Sequence, residues 1–267
     1  MIGVEVRRQA RRRRTLYSFL ALAAIPLVVL TAFLVNGPAD TGRTPPELVD
    51  MASRGGLNFA IFLLLATSQF LLVVVVALFA GDAVASEAQW GSLRYLLTRP
   101  IPRSRLLRVK LLVASLYSAA AVVTVPLVSL AAGTVAFGWK DVQTPLAGSL
   151  GVDTGLSRLA LATGYVMATM AVVVALAFLF STFTDAPLSA VGGAVVLVVV
   201  SEILDQVSSL GSLRLGLPTH YWLAWLDLLV DPVSTATMTR GLLEMLPWVV
   251  VPLALAFRHF RRKDILS

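Results

Sequence analysis

Residues 57–80, LNFAIFLLLATSQFLLVVVVALFA, run for 24 positions without a charged side chain. A helix of that length reaches about 36 Å at 1.5 Å per residue, more than the ~30 Å hydrocarbon core of a bilayer. The rest of the chain agrees with this stretch. Of its 267 residues 57% are hydrophobic and 14% charged, with a mean hydropathy of +0.83. Soluble domains are about 45–50% apolar and about 25% charged, so the composition excludes a soluble globular or a disordered chain. The sequence reads as an all-α polytopic membrane protein forming one transmembrane domain over 1–267.

Working outward from 57–80, further apolar runs give spans at 15–36, 111–136 and 159–183, and shorter ones at 187–204 and 241–257. That makes six. The spans leave an interfacial basic segment at 1–14, a loop at 81–110, an outer interfacial or re-entrant segment at 205–240, and a basic tail at 258–267. A cleaved leader is not expected at the amino terminus, because the apolar run is too long and Asn36, Gly37 and Pro38 make a poor cleavage site. With six spans, 1–14, 81–110 and the tail fall on one side, and together they hold 16 of the 22 Lys and Arg residues. By the positive-inside rule that side is the cytoplasm, which implies a multi-pass protein of a bacterial cell (inner) membrane with both termini inside. The net charge of +7 is then topogenic and lipid-facing, and nucleic acid is not an expected partner.

Catalytic signatures are missing from the sequence. It has no phosphate-binding loop, no nucleophile elbow and no H-E-x-x-H. There are no cysteines, and His220 and His259 stand apart from other ligand types, so both are read as solvated or interfacial. No enzyme site, metal or bound cofactor is expected on this chain. Carboxylates near span ends deserve separate notice, since ionisable groups in membranes are costly. Asp185, beside Pro187 in the turn between spans four and five, reads as a helix cap. Glu202, Asp205 and Glu244, at the outer ends of spans five and six, could rim an exit pathway or simply be solvated.

The 81–110 loop carries more than topogenic charge. Trp90, Leu93, Leu96 and Leu97 are spaced to line one face of a short helix. Pro100 and Pro102 end it, and Ser104 is placed to cap the helix leading into span three. Periodicity alone leaves open whether such an element lies in the headgroup layer or docks into a groove on another protein.

Glu87, Gly91-Ser92-Leu93, Leu96-Leu97-Thr98-Arg99-Pro100, Arg103 and Lys110 follow span two in an order that resembles the signature of permease subunits of type-2 ABC transporters. The motif covers about 24 residues, and chain length, six spans and a basic amino terminus extend the likeness. Trp90 departs from it, standing where a small or polar residue is common, and the first outer loop lacks the large domain of some relatives. The resemblance implies that the loop is a coupling helix seated in a separate ATP-binding subunit. Glu87, Trp90, Leu93, Arg94 and Leu97 would then contact that subunit, with ATP and Mg bound there rather than here. It also implies two ATP-binding subunits and a second permease subunit, identical or homologous. The readings that compete with it are an ATP-independent carrier or channel and a non-transporting membrane scaffold.

Overall fold

The computed structural model describes residues 2–36, 51–89, 102–144 and 148–262. Eight helices are found there: α1 (Ile2–Ala10), α2 (Arg13–Asn36), α3 (Gly56–Ser68), α4 (Leu71–Gln89), α5 (Arg103–Phe137), α6 (Val152–Phe183), α7 (Pro187–Gln206) and α8 (Ala236–Arg262). A two-stranded antiparallel hairpin, β1 (Val142–Thr144) with β2 (Gly148–Leu150), joins α5 to α6. Six helices are long and apolar enough to cross a membrane: α2, α4, α5, α6, α7 and α8. The protein is an all-α, multi-pass membrane protein. Helices dominate because lipid offers no partner for backbone amides and carbonyls, so each segment must satisfy its own.

The helices do not bury equal shares of themselves. In the spanning stretches of α4 and α6, 72% and 67% of the residues are buried, against 11% in α2 and 22% in each of α7 and α8. α4 and α6 therefore form the centre, with α5, α7 and α8 packed around them and α2 along the outside of α5. Aromatic contacts seat α2: Phe19 stacks on Phe79 at 5.9 Å between centroids, and Phe33 meets Phe59 and Phe62 at 6.2 and 6.0 Å.

The second span differs from the continuous helix expected over 57–80. It breaks at Gln69 and Phe70 into α3 and α4. Two hydroxyls just before the break bond back along α3. Thr67 Oγ1 donates to the Leu63 carbonyl at 2.7 Å and Ser68 Oγ to the Leu65 carbonyl at 3.0 Å. Side chains that bond back in this way compete with the amide ladder and bend helices. Backbone bonding resumes when the Val74 amide reaches the Phe70 carbonyl at 3.0 Å.

Two expected caps also differ. α5 begins at Arg103 after Pro102, without a side-chain cap, so Ser104 lies inside its first turn. α7 begins with Pro187 at its first position after Ala186, again uncapped by a side chain, and Asp185 precedes the junction. At α7 Pro187 supplies the start, because its fixed φ suits the first helical turn and its missing amide hydrogen costs nothing there, whereas at α5 Pro102 stands just before the helix as its N-cap.

The 205–240 segment folds onto the bundle. It contains 3-10 turns over Ser208–Gly216 and Ala224–Leu229, and its aromatic residues are buried: Trp225 is fully covered, and Tyr221 and Trp222 nearly so. Backbone carbonyls of the segment are held by the spans. Arg158 Nη1 donates to Leu228 O at 2.9 Å, Tyr165 Oη to Tyr221 O at 2.8 Å and Trp248 Nε1 to Gly216 O at 3.1 Å.

Close helix approach rests on glycine at α3 and α5. A Cβ on Gly56 would lie 2.8 Å from the Thr134 Cα, and one on Gly133 3.0 Å from the Phe59 Cβ. Gly56→Ala is expected to lower stability by about 1–3 kcal/mol through overpacking. Gly192→Ala on α7, where a Cβ meets nothing within 4 Å, should be neutral or stabilising by up to about 1 kcal/mol. Thermal unfolding of the two variants in one detergent measures the contrast, and equal melting temperatures would contradict the packing.

Candidate functional site: a buried charge cluster

α4 runs out of its apolar stretch into Asp82 and Glu87, and both carboxylates are buried, at 1% and 3% exposed. A carboxylate in a low-dielectric interior persists only if cations and hydrogen bonds compensate its lost hydration. Three elements supply them. Lys110, 2% exposed on α5, places Nζ 2.6 Å from Glu87 Oε1 and 2.9 Å from the Ala83 carbonyl. Arg8 on α1 pairs with the same Glu87 oxygen and with Glu5 at 2.6 Å. Arg12, at the junction of α1 and α2, and Arg14 on α2 pair with the two oxygens of Asp82.

The cluster thus gathers three carboxylates, Glu5, Asp82 and Glu87, and four cations, Arg8, Arg12, Arg14 and Lys110, from four helices. Burial alone would lower the Arg8 pKa, but the hydrogen bond and charge of Glu87, followed by those of Glu5, outweigh it and raise the pKa above its ordinary value. Arg8 is therefore held charged. Neighbouring contacts fix the same region: Tyr117 Oη donates to Val6 O at 2.8 Å, and the Val84 and Ala85 amides reach Ser181 Oγ at 3.0 and 2.9 Å. Arg103 Nη1 donates to the Arg261 carbonyl at 3.3 Å, bringing the start of α5 to the end of α8.

Glu87 in the last turn of α4 and Lys110, about two turns into α5, flank the segment between these helices, and their contact ties its two sides together. The cluster offers no nucleophile, proton shuttle or cation site. It holds α1, the start of α2, the end of α4 and the start of α5 as one body.

Of the residues expected to contact a partner ATPase, Glu87 faces into the chain and is engaged by Arg8 and Lys110, while Trp90, Leu93, Arg94 and Leu97 lie outside the described residues. The amino-terminal arginines divide. Arg8, Arg12 and Arg14 bind carboxylates, and Arg7, Arg11 and Arg13 are exposed. The acidic residues at the other end of the bundle have partners of their own: Asp205 sits 2.5 Å from His220 Nδ1 and 3.7 Å from Arg214 Nε, and Glu244 3.0 Å from Arg240 Nε. Glu202 is half-buried, with Oε1 unpartnered. His220 is therefore part of a polar cluster, and His259 stacks on Phe183 at 4.1 Å. Sequence reasoning missed Asp82, Glu5, Arg8, Arg12 and Arg14 as interacting residues. The usable signal was an acidic residue two positions past a charge-free span, which calls for a cationic partner.

Fold and site together define a multi-pass helical membrane protein whose helices are tied at one end by buried ion pairs. The chain belongs to the DUF2705 family, described as a protein of unknown function, which matches residues 47–266. No curated protein matches it. The family match takes in α3 to α8 and leaves out α1 and α2, which bring Glu5, Arg8, Arg12 and Arg14 to the cluster.

Removing one partner of a buried pair strands the other charge and costs about 3–5 kcal/mol, whereas replacing both with apolar groups is far milder. Lys110→Met should accordingly destabilise strongly, and Glu87→Met in the same chain should recover most of the loss. A double-mutant cycle by thermal or denaturant unfolding checks this, with additive effects as the contrary result.

Proposed function

We propose that this protein is the membrane-spanning permease subunit of an ATP-driven ABC exporter, working with a separate ATP-binding subunit. The observation that carries the reading is the Glu87–Lys110 contact. It ties together the two sides of the segment whose sequence resembles a coupling helix, so a push on that segment would reach α4 and α5 together and, through Arg8, α1. A loop that served only to set topology needs basic residues and no such contact.

In this reading the basic end faces the cytoplasm, and Trp90, Leu93, Arg94 and Leu97 form the contact with the ATPase. Glu87 acts from behind them as a positioning residue. Two ATP-binding subunits hold the ATP and Mg, and a second permease subunit completes the pathway. The break in the second span adds support. Gln69 is exposed about 20 Å along the span from Gly56 and has no hydrogen-bond partner among the described residues. Polar groups at that depth normally face a bundle interior or a water-filled path rather than lipid. Glu202, with its free oxygen, is the remaining candidate for a pathway rim, since Asp205 and Glu244 are paired with cations.

The test is purification of the tagged chain from its own membrane in mild detergent. The expected result is co-recovery of a protein with a phosphate-binding loop and ATPase activity. Trp90→Ala should cut that recovery about tenfold while leaving the melting temperature of the permease unchanged, and the exchanged pair Glu87→Lys with Lys110→Glu should retain coupling better than either change alone. If no ATP-binding protein is recovered, or Trp90→Ala leaves recovery intact, the reading is wrong.

A further inference from the structure

A cavity of about 270 Å³ lies between α5, α6 and α8, walled by Ser115, Ser118 and Val122 of α5, Met167 and Met170 of α6, and Leu253 of α8 among others. From Leu111 to Val122 it follows α5 for about 17 Å, roughly half the hydrocarbon thickness. A second cavity of about 330 Å³ continues between α5 and α6 past Pro126 and Gly164, and Met167 borders both. No charged residue lines either one.

Ser118 is the feature that apolar packing does not explain. It is 3% exposed, and its hydroxyl has no hydrogen-bond partner. Thr124, Thr163 and Thr169 on the same two helices bond back to a carbonyl three or four residues earlier at 2.8 Å, whereas Ser118 shares its unpartnered state with Thr15, Ser129 and Thr134 and is the one of these four that lines the cavity. A buried hydroxyl without a partner has lost its hydration uncompensated, and this one lines a cavity. Water would find only Ser115 and Ser118 in an otherwise apolar wall, the minimum of the two to four polar partners it needs, and would leave most of the volume unfilled. Ions and zwitterions are excluded by the apolar wall. Ser118 also sits about 10 Å along α5 from Leu111, inside the hydrocarbon rather than at the depth of lipid ester groups. Met167 and Met170 are flexible and polarisable, suited to closing on apolar shapes of more than one kind.

We infer that the cavity binds a neutral, largely hydrocarbon molecule with one hydrogen-bond acceptor, which takes the proton of Ser118 Oγ while its apolar flanks pack against Met167 and Met170. The site is built within one chain, so the inference is independent of the permease reading.

Benzophenone is a suitable probe, with a carbonyl acceptor between two apolar rings and a photoexcited state that inserts into C–H bonds. The full-length chain, reconstituted alone in lipid nanodiscs, is irradiated with benzophenone and the adducts mapped by peptide mass spectrometry. Labelling at Met167 and Met170 should exceed that at the partly buried Met238 by at least about fivefold, and Ala171→Phe, which fills the cavity, should abolish the excess while leaving Met238 labelling unchanged. Fluorenone should protect these positions about fivefold better than fluorene, its hydrocarbon counterpart, as expected for one hydrogen bond. Ser118→Ala should bring the two competitors to parity. Equal labelling of Met238, or equal protection by fluorene and fluorenone in the unaltered chain, would overturn the inference. Ser118→Ala is a small change, so the competition test holds even if Ala171→Phe fails to fold.

Discussion

Two carboxylates buried at the end of an apolar helix constrain the architecture of this protein more than any other feature. Asp82 and Glu87 lie where hydration is lost, and ionised groups there require cations in contact with them. The neighbouring helix α5 supplies Lys110. The remaining cations come from α1 and the start of α2, which pack less extensively against the rest. Electrostatics therefore does at the basic end what apolar packing does along the spans: it fixes the amino-terminal helix against the core. Apolar packing alone would leave α2 weakly held, since its span is the least buried of the six.

The opposite end of the bundle is held by a different kind of contact. Asn58 clamps the hairpin through both its amide groups, donating to Gln143 O at 2.6 Å and accepting from the Gln143 amide at 2.9 Å. Arg158, Tyr165 and Trp248 donate to carbonyls of the 205–240 segment. These side-chain donors answer the need of irregular backbone near a membrane to have its carbonyls occupied. One end is tied by paired charges, the other by hydrogen bonds to loops.

The spans and their number were legible in the sequence because charge-free length is a direct consequence of bilayer thickness. Helix ends were less so: α5 begins at Arg103 and α8 continues to Arg262, because helix persists through polar residues once the span has nucleated it. The break at Gln69 could not be read from hydropathy, since Thr67, Ser68 and Gln69 barely lower the average. It lies in backbone geometry, which average hydropathy does not register. The buried aromatics of 205–240 were hidden for a related reason. Tyr and Trp suit both an interface and a core, and only tertiary packing decides between them. At the charge cluster, Glu87 and Lys110 were visible as motif positions, but the pairing of Arg8, Arg12 and Arg14 was not. An arginine beside a membrane can serve lipid phosphates or protein carboxylates, and the choice depends on a helix crossing that sequence spacing does not encode.

The break at Gln69 and the charge cluster bear on each other. α3 packs mainly on α5 and more lightly on α6 and the hairpin, while α4 packs mainly on α6, then on α7 and α5. The two halves of the second span share α5 and α6 as neighbours but differ in which they lean on most, and the second half carries both buried carboxylates. A displacement applied at the cluster would act on α4 and the foot of α5 together, since the ion pairs join them. It need not pass unchanged into α3, because the helical ladder is interrupted between them. Continuous helices such as α5 and α6 carry displacement along their whole length, whereas a broken one lets its two ends move by different amounts. The second span combines an anchored end at the charge cluster with a break between α3 and α4, and Gln69 is exposed at the point where the halves meet.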